Sequence, residues 1–255
     1  EMIPVGRTML LGKKCLHDRD VCIILGLVNA NQKRRFIMSK TGAAFWQKMA
    51  RHYTSLMAHS APLYSEICNR VRPRLTREMN VLELACGTGQ LSVPLSPNVR
   101  LWEATDFSPN MIAEAKRQVT STRLHFSVQD AAALPYAPET FDAVVIANAL
   151  HILPEPDKVM EEIRRVLKPG GLLFAPTFVH AGGRLAKVRT WCMERTGFHV
   201  YHSWNAGEFL SYLSQQGFWV IEHALLGSRA LPLCYAACRW TPPEYLVVKN
   251  VVTVQ

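Results

Sequence analysis

The segment Val81–Ser92, with the sequence VLELACGTGQLS, constrains the fold of this 255-residue chain more than any other stretch. An apolar run leads into a turn of small residues that contains Gly87 and Gly89, and a helix-like segment follows. Glycine lacks a Cβ and tolerates positive φ, and the first turn of a helix has unpaired N–H groups, so a ligand can lie close to this backbone. The segment therefore predicts a strand, a tight turn and a helix that together bind a ligand.

The residues of this turn favour some ligands over others. Glu83, near the end of the strand, disfavours a phosphate and suits a ligand that carries an ammonium group or hydroxyls. The dinucleotide fingerprint G-x-G-x-x-G requires Gly or Ala at the position of Ser92. A nicotinamide cofactor is therefore the weaker alternative, and a turn that binds no ligand is a second alternative.

Two acids further along the chain extend the predicted site. Asp106 follows the second predicted strand and lies 17 residues beyond Gly89. In nucleotide-binding α/β folds, an acid about 20 residues after the glycine turn accepts hydrogen bonds from the ribose hydroxyls. Asp130 follows the third predicted strand, Leu124–Val128. Its carboxylate can accept a hydrogen bond from an adenine amino group, and Ala131 supplies a backbone N–H for a ring nitrogen.

The pattern after the glycine turn continues to alternate between strands and helices. Ser108 is the expected N-cap of the helix that follows the second strand. Phe141–Ala147 is almost unbroken in its apolar character, as in a strand that is buried on both faces. An amphipathic helix is expected over Asp157–Leu167, ending at Lys168–Gly171 before a fifth strand at Leu172–Pro176.

Further elements are expected on both sides of this core. Two amphipathic helices are predicted between residues 43 and 72. After the fifth strand, Ser203 is expected to cap a helix over Asn205–Gln216. Phe218–Leu225 and Leu231–Arg239 predict the last two strands, as an antiparallel pair at one end of the sheet.

Five motifs in a fixed order resemble the class I S-adenosylmethionine-dependent methyltransferases, in particular their ubiquinone/menaquinone-biosynthesis-like branch of small-molecule enzymes. They are VLELACGTGQLS, TDFSPNMIAEAK, QDAAALPY, ETFDAVVIANALHIL and EEIRRVLKPGGLL. The resemblance covers roughly residues 43–240. It implies a Rossmann-like, doubly wound α/β fold with a seven-stranded, mostly parallel sheet, an antiparallel last strand, helices on both faces and a helical cap. It also implies methyl transfer from S-adenosylmethionine, with S-adenosylhomocysteine as the product.

The same resemblance implies which residues surround the methionine part of this cofactor. Gly87 and Gly89 would pass beside it with Glu83 nearby, and Ala85 replaces the first of the three glycines usual in the family motif. Asn148 would lie near the sulfonium.

At the other end of the cofactor, Phe107 and Met111 would flank the adenine whose edge is contacted by Asp130 and Ala131. Tyr53, on a helix of the cap, would close over the cofactor.

The methyl acceptor is less well defined by the sequence. Residues 177–203, between the fifth strand and the next helix, are rich in histidine and aromatic residues and predict a substrate lid with a mostly apolar pocket. A lid helix with a small core of its own is an equal alternative. His151 is the candidate general base, needed only if the acceptor is protonated at neutral pH. The candidate substrate contacts are His180, His199, His202 and Trp204.

The sequence divides into four segments. Residues 1–37 are expected to be an N-terminal extension, appended or loosely packed, and residues 38–79 to hold the cap helices. Residues 80–240 form the predicted methyltransferase core, and residues 241–255 a tail or added edge strand. A hydrophobic content of 49% is ample for the core of one such domain.

Charge and cysteine content restrict the partners and the compartment. The net charge of +9 is scattered rather than clustered, which disfavours nucleic acid, although an RNA or protein methyltransferase stays open as an alternative. A non-catalytic cofactor-binding subunit is another alternative. The seven cysteines form no C-x-x-C pair, so neither a disulfide framework nor a metal site is expected. The apolar run Val21–Val28 is too short to span a bilayer. We expect a cytoplasmic monomer or homodimer without membrane insertion.

Overall fold

The structure is a computed structural model, and it describes residues 46, 49, 50, 53, 59–118, 121–180, 200–228 and 231–242. The predictions for the extension 1–37, for lid residues 181–199 and for the tail beyond residue 242 lie outside the described residues. Trp46, Met49 and Tyr53 are helical, in agreement with the first predicted cap helix.

The described elements alternate between strands and helices along the chain. The strands are β1 (Asn80–Leu84), β2 (Leu101–Asp106), β3 (Leu124–Val128), β4 (Phe141–Ile146), β5 (Leu167–Phe174), β6 (Thr177–Phe178), β7 (Phe218–Gly227) and β8 (Pro232–Trp240). The helices are α1 (Ala61–Val71), α2 (Ser92–Leu95), α3 (Pro109–Lys116), α4 (Pro156–Val166) and α5 (Ala206–Gln215). Short 3₁₀ turns occupy Arg72–Arg74, Ser96–Asn98 and Leu150–Ile152.

All eight strands belong to one sheet, in the order β3-β2-β1-β4-β5-β8, and β7 pairs with the outer side of β8. The strands from β3 to β5 are parallel to their neighbours, and β8 is antiparallel to β5 and β7. The two-residue strand β6 continues the pairing of β5 with β8 in the same register, after an interruption at Ala175–Pro176. The eight strands therefore occupy seven positions, and the predicted fold class is confirmed.

Helices cover both faces of the sheet because the side chains of each central strand alternate between two cores. Val81 belongs to the core that includes Ile67 of α1 and Ile112 of α3. Leu82, the next residue, belongs to the core that includes Ile163 of α4 and Phe209 of α5. This double burial explains the continuous apolar character of the central strands.

Several helix boundaries follow from the local residues. Ser108 caps α3, because its side chain accepts a hydrogen bond from Met111 N at 3.3 Å. The prediction that Ser203 caps α5 is wrong. Asn205 is the N-cap, and with Glu208 it forms a reciprocal capping box.

The strand β5 begins earlier than predicted. It starts at Leu167, directly after α4, so Lys168–Gly171 lies inside the strand as an irregularity in its pairing with β4. Gly171 is required there, because an added Cβ would lie 2.8 Å from the carbonyl oxygen of Lys168. In the part of the chain that the structure describes, no helix is long and apolar enough to cross a membrane.

Candidate active site

A cavity of about 460 Å³ lies at the carboxyl ends of the four strands β1 to β4. The chain crosses from β3 on one side of β1 to β4 on the other, and α/β folds bind ligands at such a switch point. The cavity is lined by Trp46, Tyr53, Ala85, Gly87, Thr105, Asp106, Phe107, Met111, Gln129, Asp130, Ala131, Ala132, Ala147, Asn148, Ala149, Ile152, Leu153, Pro154, Glu155, Val159 and Tyr201. Nine of the eleven residues predicted to contact the cofactor are in this wall.

The glycine turn has the left-handed backbone that its residue types suggest. The φ angles are +56° at Gly87 and +90° at Gly89, and Ala85 adopts φ +52° although it has a Cβ. Left-handed φ at an alanine costs roughly 1–2 kcal/mol. This explains why glycine suits the position that Ala85 occupies. The turn is tied to the neighbouring strand by Cys86 N, which donates to Thr105 O at 2.9 Å.

Asp106 is held in place by two backbone groups. One carboxylate oxygen accepts from Gly87 N at 2.9 Å and the other from Ser108 N at 2.8 Å. Burial raises the pKa of Asp106, and these two hydrogen bonds oppose that rise. Each carboxylate oxygen can accept a further hydrogen bond. The side chain is therefore a fixed bidentate acceptor in the cavity wall.

Glu83 lies beneath the turn rather than in the cavity wall that the described residues form. It is only 2% exposed, and its Oε2 accepts from Ser92 Oγ at 2.5 Å and from Trp102 Nε1 at 2.9 Å. Burial raises the pKa of Glu83 to about 7, against the effect of these two hydrogen bonds. Glu83 joins β1 to β2 and α2, so its position indicates a role in holding the turn.

Gly89 is the other predicted cofactor residue that is not part of the described cavity wall. An added Cβ would lie 3.2 Å from Phe126 Cζ and 3.3 Å from a methyl of Val93. Gly89 therefore allows the turn to pack closely on β3 and α2.

The ends of β2 and β3 form the part of the wall that would face an adenine. Phe107 is 55% exposed, whereas Met111, in the first turn of α3, is buried. Asp130 accepts from Ala132 N at 2.9 Å, which fixes its side chain beside Ala131.

At the opposite end of the cavity, two tyrosines and an asparagine form a hydrogen-bonded group, of which Tyr53 and Asn148 line the described wall and Tyr64 lies behind it. Tyr53 lies over the glycine turn, since a Cβ added at Gly87 would be 3.3 Å from its Cε1. Tyr53 is hydrogen-bonded to Tyr64 of α1, whose hydroxyl accepts from Asn148 Nδ2 at 3.2 Å. Tyr64 was not predicted, because nothing in the sequence distinguishes it from the other aromatic residues of the cap.

His151 lies in the 3₁₀ turn after β4 and is 7% exposed. Its carbonyl oxygen accepts from the backbone N–H groups of Tyr201 and His202 at 3.0 and 3.1 Å. Its Nδ1 has no hydrogen-bond partner among the described residues. Burial, with a smaller effect of His180, lowers the pKa of His151 to about 4. The imidazole is therefore neutral at pH 7. His151 itself is not part of the described cavity wall, although the next residue in the chain, Ile152, is.

The predicted lid residues have different surroundings. His180 Nδ1 lies 3.3 Å from Ser203 Oγ, and the His202 ring stacks on Trp204 at 5.2 Å. Trp204 in turn stacks on Tyr212 of α5 at 4.9 Å. None of these three candidate substrate contacts, His180, His202 and Trp204, is in the cavity wall as the described residues define it, and Trp204 is a packing residue for α5. His199 lies outside the described residues.

Other cavity residues were missed by sequence reasoning. Gln129, Ala147 and Ala149 directly precede or follow predicted residues, so their positions after strand ends were the available signal. Tyr201 lies within the predicted lid segment, 177–203, and lines the cavity, although it was not among the candidate substrate contacts.

The residues present fit S-adenosylmethionine. Neighbouring strands lie about 4.8 Å apart, so the four strand ends span roughly 14 Å, which suits an elongated ligand. Asp106 offers two acceptors to a diol, and Gly87 lets a ligand approach the backbone. Within the described residues, no group of three or more potential metal ligands occurs.

Comparisons with known proteins agree with this geometry. Residues 81–171 match the family model described as "Methyltransferase domain". A stretch of 100 residues is 41% identical to the demethylmenaquinone methyltransferase of Renibacterium salmoninarum and covers 39% of this chain and 41% of that protein. Another of 93 residues is 39% identical to the ubiquinone/menaquinone biosynthesis C-methyltransferase UbiE of Desulfotalea psychrophila and covers 36% of this chain and 38% of that protein.

The fold is shared with a chain of the complex between the Haloferax volcanii Trm112 methyltransferase activator and the putative methyltransferase. The TM-score is 0.66 at 17% identity, over 77% of this chain and 98% of that chain.

Residues 81–171 therefore match a methyltransferase domain, and the fold and the acids at the strand ends resemble those of the class I S-adenosylmethionine-dependent methyltransferases. Over the matched stretches, the chain is similar to the ubiquinone/menaquinone C-methyltransferases. The cofactor of this family is S-adenosylmethionine. The chain spans about two fifths of the length of the two curated relatives, so their names describe what those proteins act on.

Proposed function

We propose that this protein transfers a methyl group from S-adenosylmethionine to a small-molecule acceptor and releases S-adenosylhomocysteine. One observation carries the proposal: the segments that follow four adjacent strands contribute eight of the eleven expected cofactor residues to a single cavity, and the cap helix contributes a ninth, Tyr53. The order of these strands also matches the order of the chemical groups along the cofactor, with acids at β3 and β2 and small residues at β1 and β4.

The adenosine half would lie against β3 and β2. Asp106 accepts hydrogen bonds from both ribose hydroxyls, for which its fixed carboxylate has free acceptor capacity. Asp130 accepts from the adenine amino group, and Ala131 N–H donates to a ring nitrogen. Phe107 and Met111 flank the adenine ring.

The methionine half would lie against β1 and β4. Ala85 and Gly87 pass beside it, and the unusual backbone of this turn is what permits the approach. Asn148 lies near the sulfonium end, and Tyr53 closes over the cofactor from the cap.

Bound S-adenosylmethionine supplies a methyl group that is already activated. The protein's task is then to hold an acceptor nucleophile in line behind that methyl group. Proximity and orientation contribute on the order of 7–11 kcal/mol to such reactions. The cavity wall provides this by fixing both ends of the cofactor and excluding water around the reacting atoms.

The acceptor would be aromatic or lipophilic. Ile152, Leu153, Pro154 and Tyr201 give the cavity an apolar side that the cofactor contacts do not use. The quinone substrates named for the curated relatives support a reduced naphthoquinone as the first acceptor to test.

His151 would act as the base when the acceptor is a phenol or an enol. Its neutral imidazole and the unpartnered Nδ1, among the described residues, support this role. His180 and His202, next to the same turn, would contact the far side of the acceptor.

Isothermal titration with S-adenosylhomocysteine tests the cofactor half of the proposal. We expect micromolar binding, no binding of NADH, and at least tenfold weaker binding after Asp106→Ala. The matched control is Asp157→Ala, since Asp157 bonds to Tyr212 and Gln216 away from the cavity. Wild-type affinity in the Asp106→Ala variant would refute the ribose contact.

Turnover with a panel of acceptors tests the other half. The panel contains demethylmenaquinol, simple phenols, small amines and unmodified RNA, each with tritiated S-adenosylmethionine. Label in a quinol or phenol supports the proposal. Label in RNA alone would replace it with nucleic-acid methylation.

A further inference from the structure

We propose that Arg165 and Glu162 are positioning residues for base recognition: they hold the loop of residues 129–136 where Asp130 and Ala131 can contact the edge of an adenine. This inference rests on the proposed function, because it concerns how the adenine contacts of that cavity are kept in place. Neither Arg165 nor Glu162 is part of the described cavity wall. Both belong to α4, so they act through the loop and do not touch the cofactor.

The first half of this loop is shaped by local contacts. Residues 129–136, all of them described, form turns and contain no helix or strand. Gln129 N donates to Asp106 O at 3.1 Å, and Asp130 Oδ1 accepts from Ala132 N at 2.9 Å. The start of the loop is therefore joined to the end of β2, and the rest of its path has to be defined by other parts of the protein.

The second half of the loop is held by the charged pair on α4. Arg165 donates from Nη2 to Leu134 O at 3.0 Å and from Nη1 to Tyr136 O at 2.6 Å. Glu162 Oε2 accepts from Leu134 N at 2.7 Å, so both main-chain polar groups of Leu134 are bonded to α4. All three bonds are to main-chain atoms of the loop, so they set the path of its backbone directly.

The pair is itself held in one geometry. Nε and Nη2 of Arg165 donate to the two carboxylate oxygens of Glu162, each at 2.7 Å, which is a bidentate contact. The hydrogen bonds from Arg165 lower the pKa of Glu162, so the carboxylate stays charged at neutral pH. A lysine has one nitrogen in place of the planar fork, so it cannot hold the carboxylate and both carbonyl oxygens in this arrangement.

The loop has other anchors that do not depend on Arg165. Leu134 is 6% exposed and packs in the core that includes Ile163. The hydroxyl of Tyr136 donates to Glu103 Oε1 at 3.1 Å. Replacing Arg165 should therefore shift the loop by a small distance and leave it attached to the domain.

A small shift is enough to affect recognition of the base. Asp130 lies four residues before Leu134 in the chain, is exposed and lines the cavity, so the amino group of an adenine can reach it. A hydrogen bond weakens steeply when its length or angle departs from the optimum. Hypoxanthine has an oxygen in place of that amino group and offers Asp130 no donor. The position of the loop should therefore determine how strongly the site prefers adenine to hypoxanthine.

The test compares two ligands, S-adenosylhomocysteine and S-inosylhomocysteine, which differ in this group of the base. Calorimetric affinities for both are measured with wild type, Arg165→Met, Arg165→Lys, Asp130→Ala and the double variant that combines Asp130→Ala with Arg165→Met. The matched control is Arg164→Met. Arg164 is the neighbouring residue of α4, and it donates to O and Oε1 of Gln216 at the end of α5.

We expect wild type to prefer S-adenosylhomocysteine and Arg165→Met to bind it about fivefold to tenfold more weakly. The affinity for S-inosylhomocysteine should change less than about twofold, so the preference falls. Arg165→Lys should give an intermediate preference, and Arg164→Met should keep that of wild type. In the Asp130→Ala background, Arg165→Met should cause a smaller loss, because one of the contacts that it positions is already gone.

Three results would overturn the inference: an unchanged preference in Arg165→Met, an equal change of preference in Arg164→Met, or an equal loss of affinity for both ligands. The last would mean that the pair supports the cavity as a whole. If Arg165→Met does not fold, Arg165→Lys is judged by the same three results, and failure of both to fold would show that the pair is structural. If wild type binds neither ligand, the proposed function itself fails, whereas normal wild-type preference with an unaffected Arg165→Met variant refutes this inference alone.

Discussion

Replacing Glu83 with glutamine should make the protein more stable at pH 8 and leave its stability nearly unchanged at pH 4. Glu83 is buried and bonded to Ser92 and Trp102, and its pKa is raised from 4.5 to about 7. The folded protein therefore keeps this proton over a pH range in which the unfolded chain has lost it. Between those two values, stability falls as the pH rises.

The size of the effect follows from the two pKa values. A difference from 4.5 to about 7, at 1.36 kcal/mol per unit, corresponds to about 3 kcal/mol. This contribution is fully present below pH 4.5, decreases between pH 4.5 and 7, and is absent above pH 7. Glutamine has a similar shape, accepts from Ser92 and Trp102 through its amide oxygen, and does not ionise. We therefore expect Glu83→Gln to exceed wild type by about 1–3 kcal/mol at pH 8.

The assay is urea unfolding at half-unit steps from pH 4 to pH 8.5. The difference between wild type and variant is used, because other titrating groups cancel in it. Glu222→Gln is the control: Arg74 and Arg70 lower the pKa of Glu222, so the stability it contributes is lost as the pH falls, the opposite direction. A constant difference between wild type and Glu83→Gln from pH 4 to pH 8.5 would show that Glu83 has an ordinary pKa and would refute the reasoning.

Three further substitutions test other parts of the structure. Trp204→Leu should lower the unfolding free energy by about 2–4 kcal/mol, because Trp204 packs on Phe209 and Tyr212. The affinity for S-adenosylhomocysteine, measured by calorimetry, should stay unchanged. A loss of affinity without a loss of stability would show that Trp204 contacts the ligand after all. Gly217→Ala should lower the melting temperature by several degrees, because Gly217 has φ +83° and an added Cβ would lie 2.9 Å from Trp240; equal stability would show that the turn can rearrange. Ala85→Gly should preserve or raise stability by up to about 1 kcal/mol, since it relieves a left-handed alanine, and a clear loss in urea unfolding would contradict the strained turn.

The scaffold was predictable because it depends on local patterns. The glycine turn, the double burial of the central strands and the cap at Ser108 are each encoded within about ten residues. The predicted third strand, Leu124–Val128, has the observed bounds. The seven positions of the sheet were predicted from the family resemblance, and the structure differs only in that one position is interrupted at Ala175–Pro176.

The position of Glu83 shows where local reasoning about the site was incomplete. The motif places an acid beside the ligand, but in a strand alternate residues share a face. Val81 packs in the core beneath α1 and α3, and Glu83 shares its face, so the carboxylate is directed towards Trp102 and α2. The alternation was visible in the sequence. The hydrogen-bond partner of the carboxylate, Trp102, was not visible, because it belongs to another strand.

The acceptor end of the site was the least predictable, because its polar groups are defined by contacts between distant segments. Asn148 was expected near the sulfonium, but its orientation depends on Tyr64, which is 84 positions away in the chain. His151 was expected as a base, but its low pKa arises from burial, and the segment bonded to its backbone, Tyr201 and His202, is about 50 positions away in the chain. Both groups have an unpartnered polar atom among the described residues. Four other buried polar atoms of the described residues also lack a partner, on Arg70, Thr177, His202 and Tyr235. An unpaired atom therefore does not by itself locate a ligand contact, and Asn148 is the one of these six residues that also lines the described cavity wall.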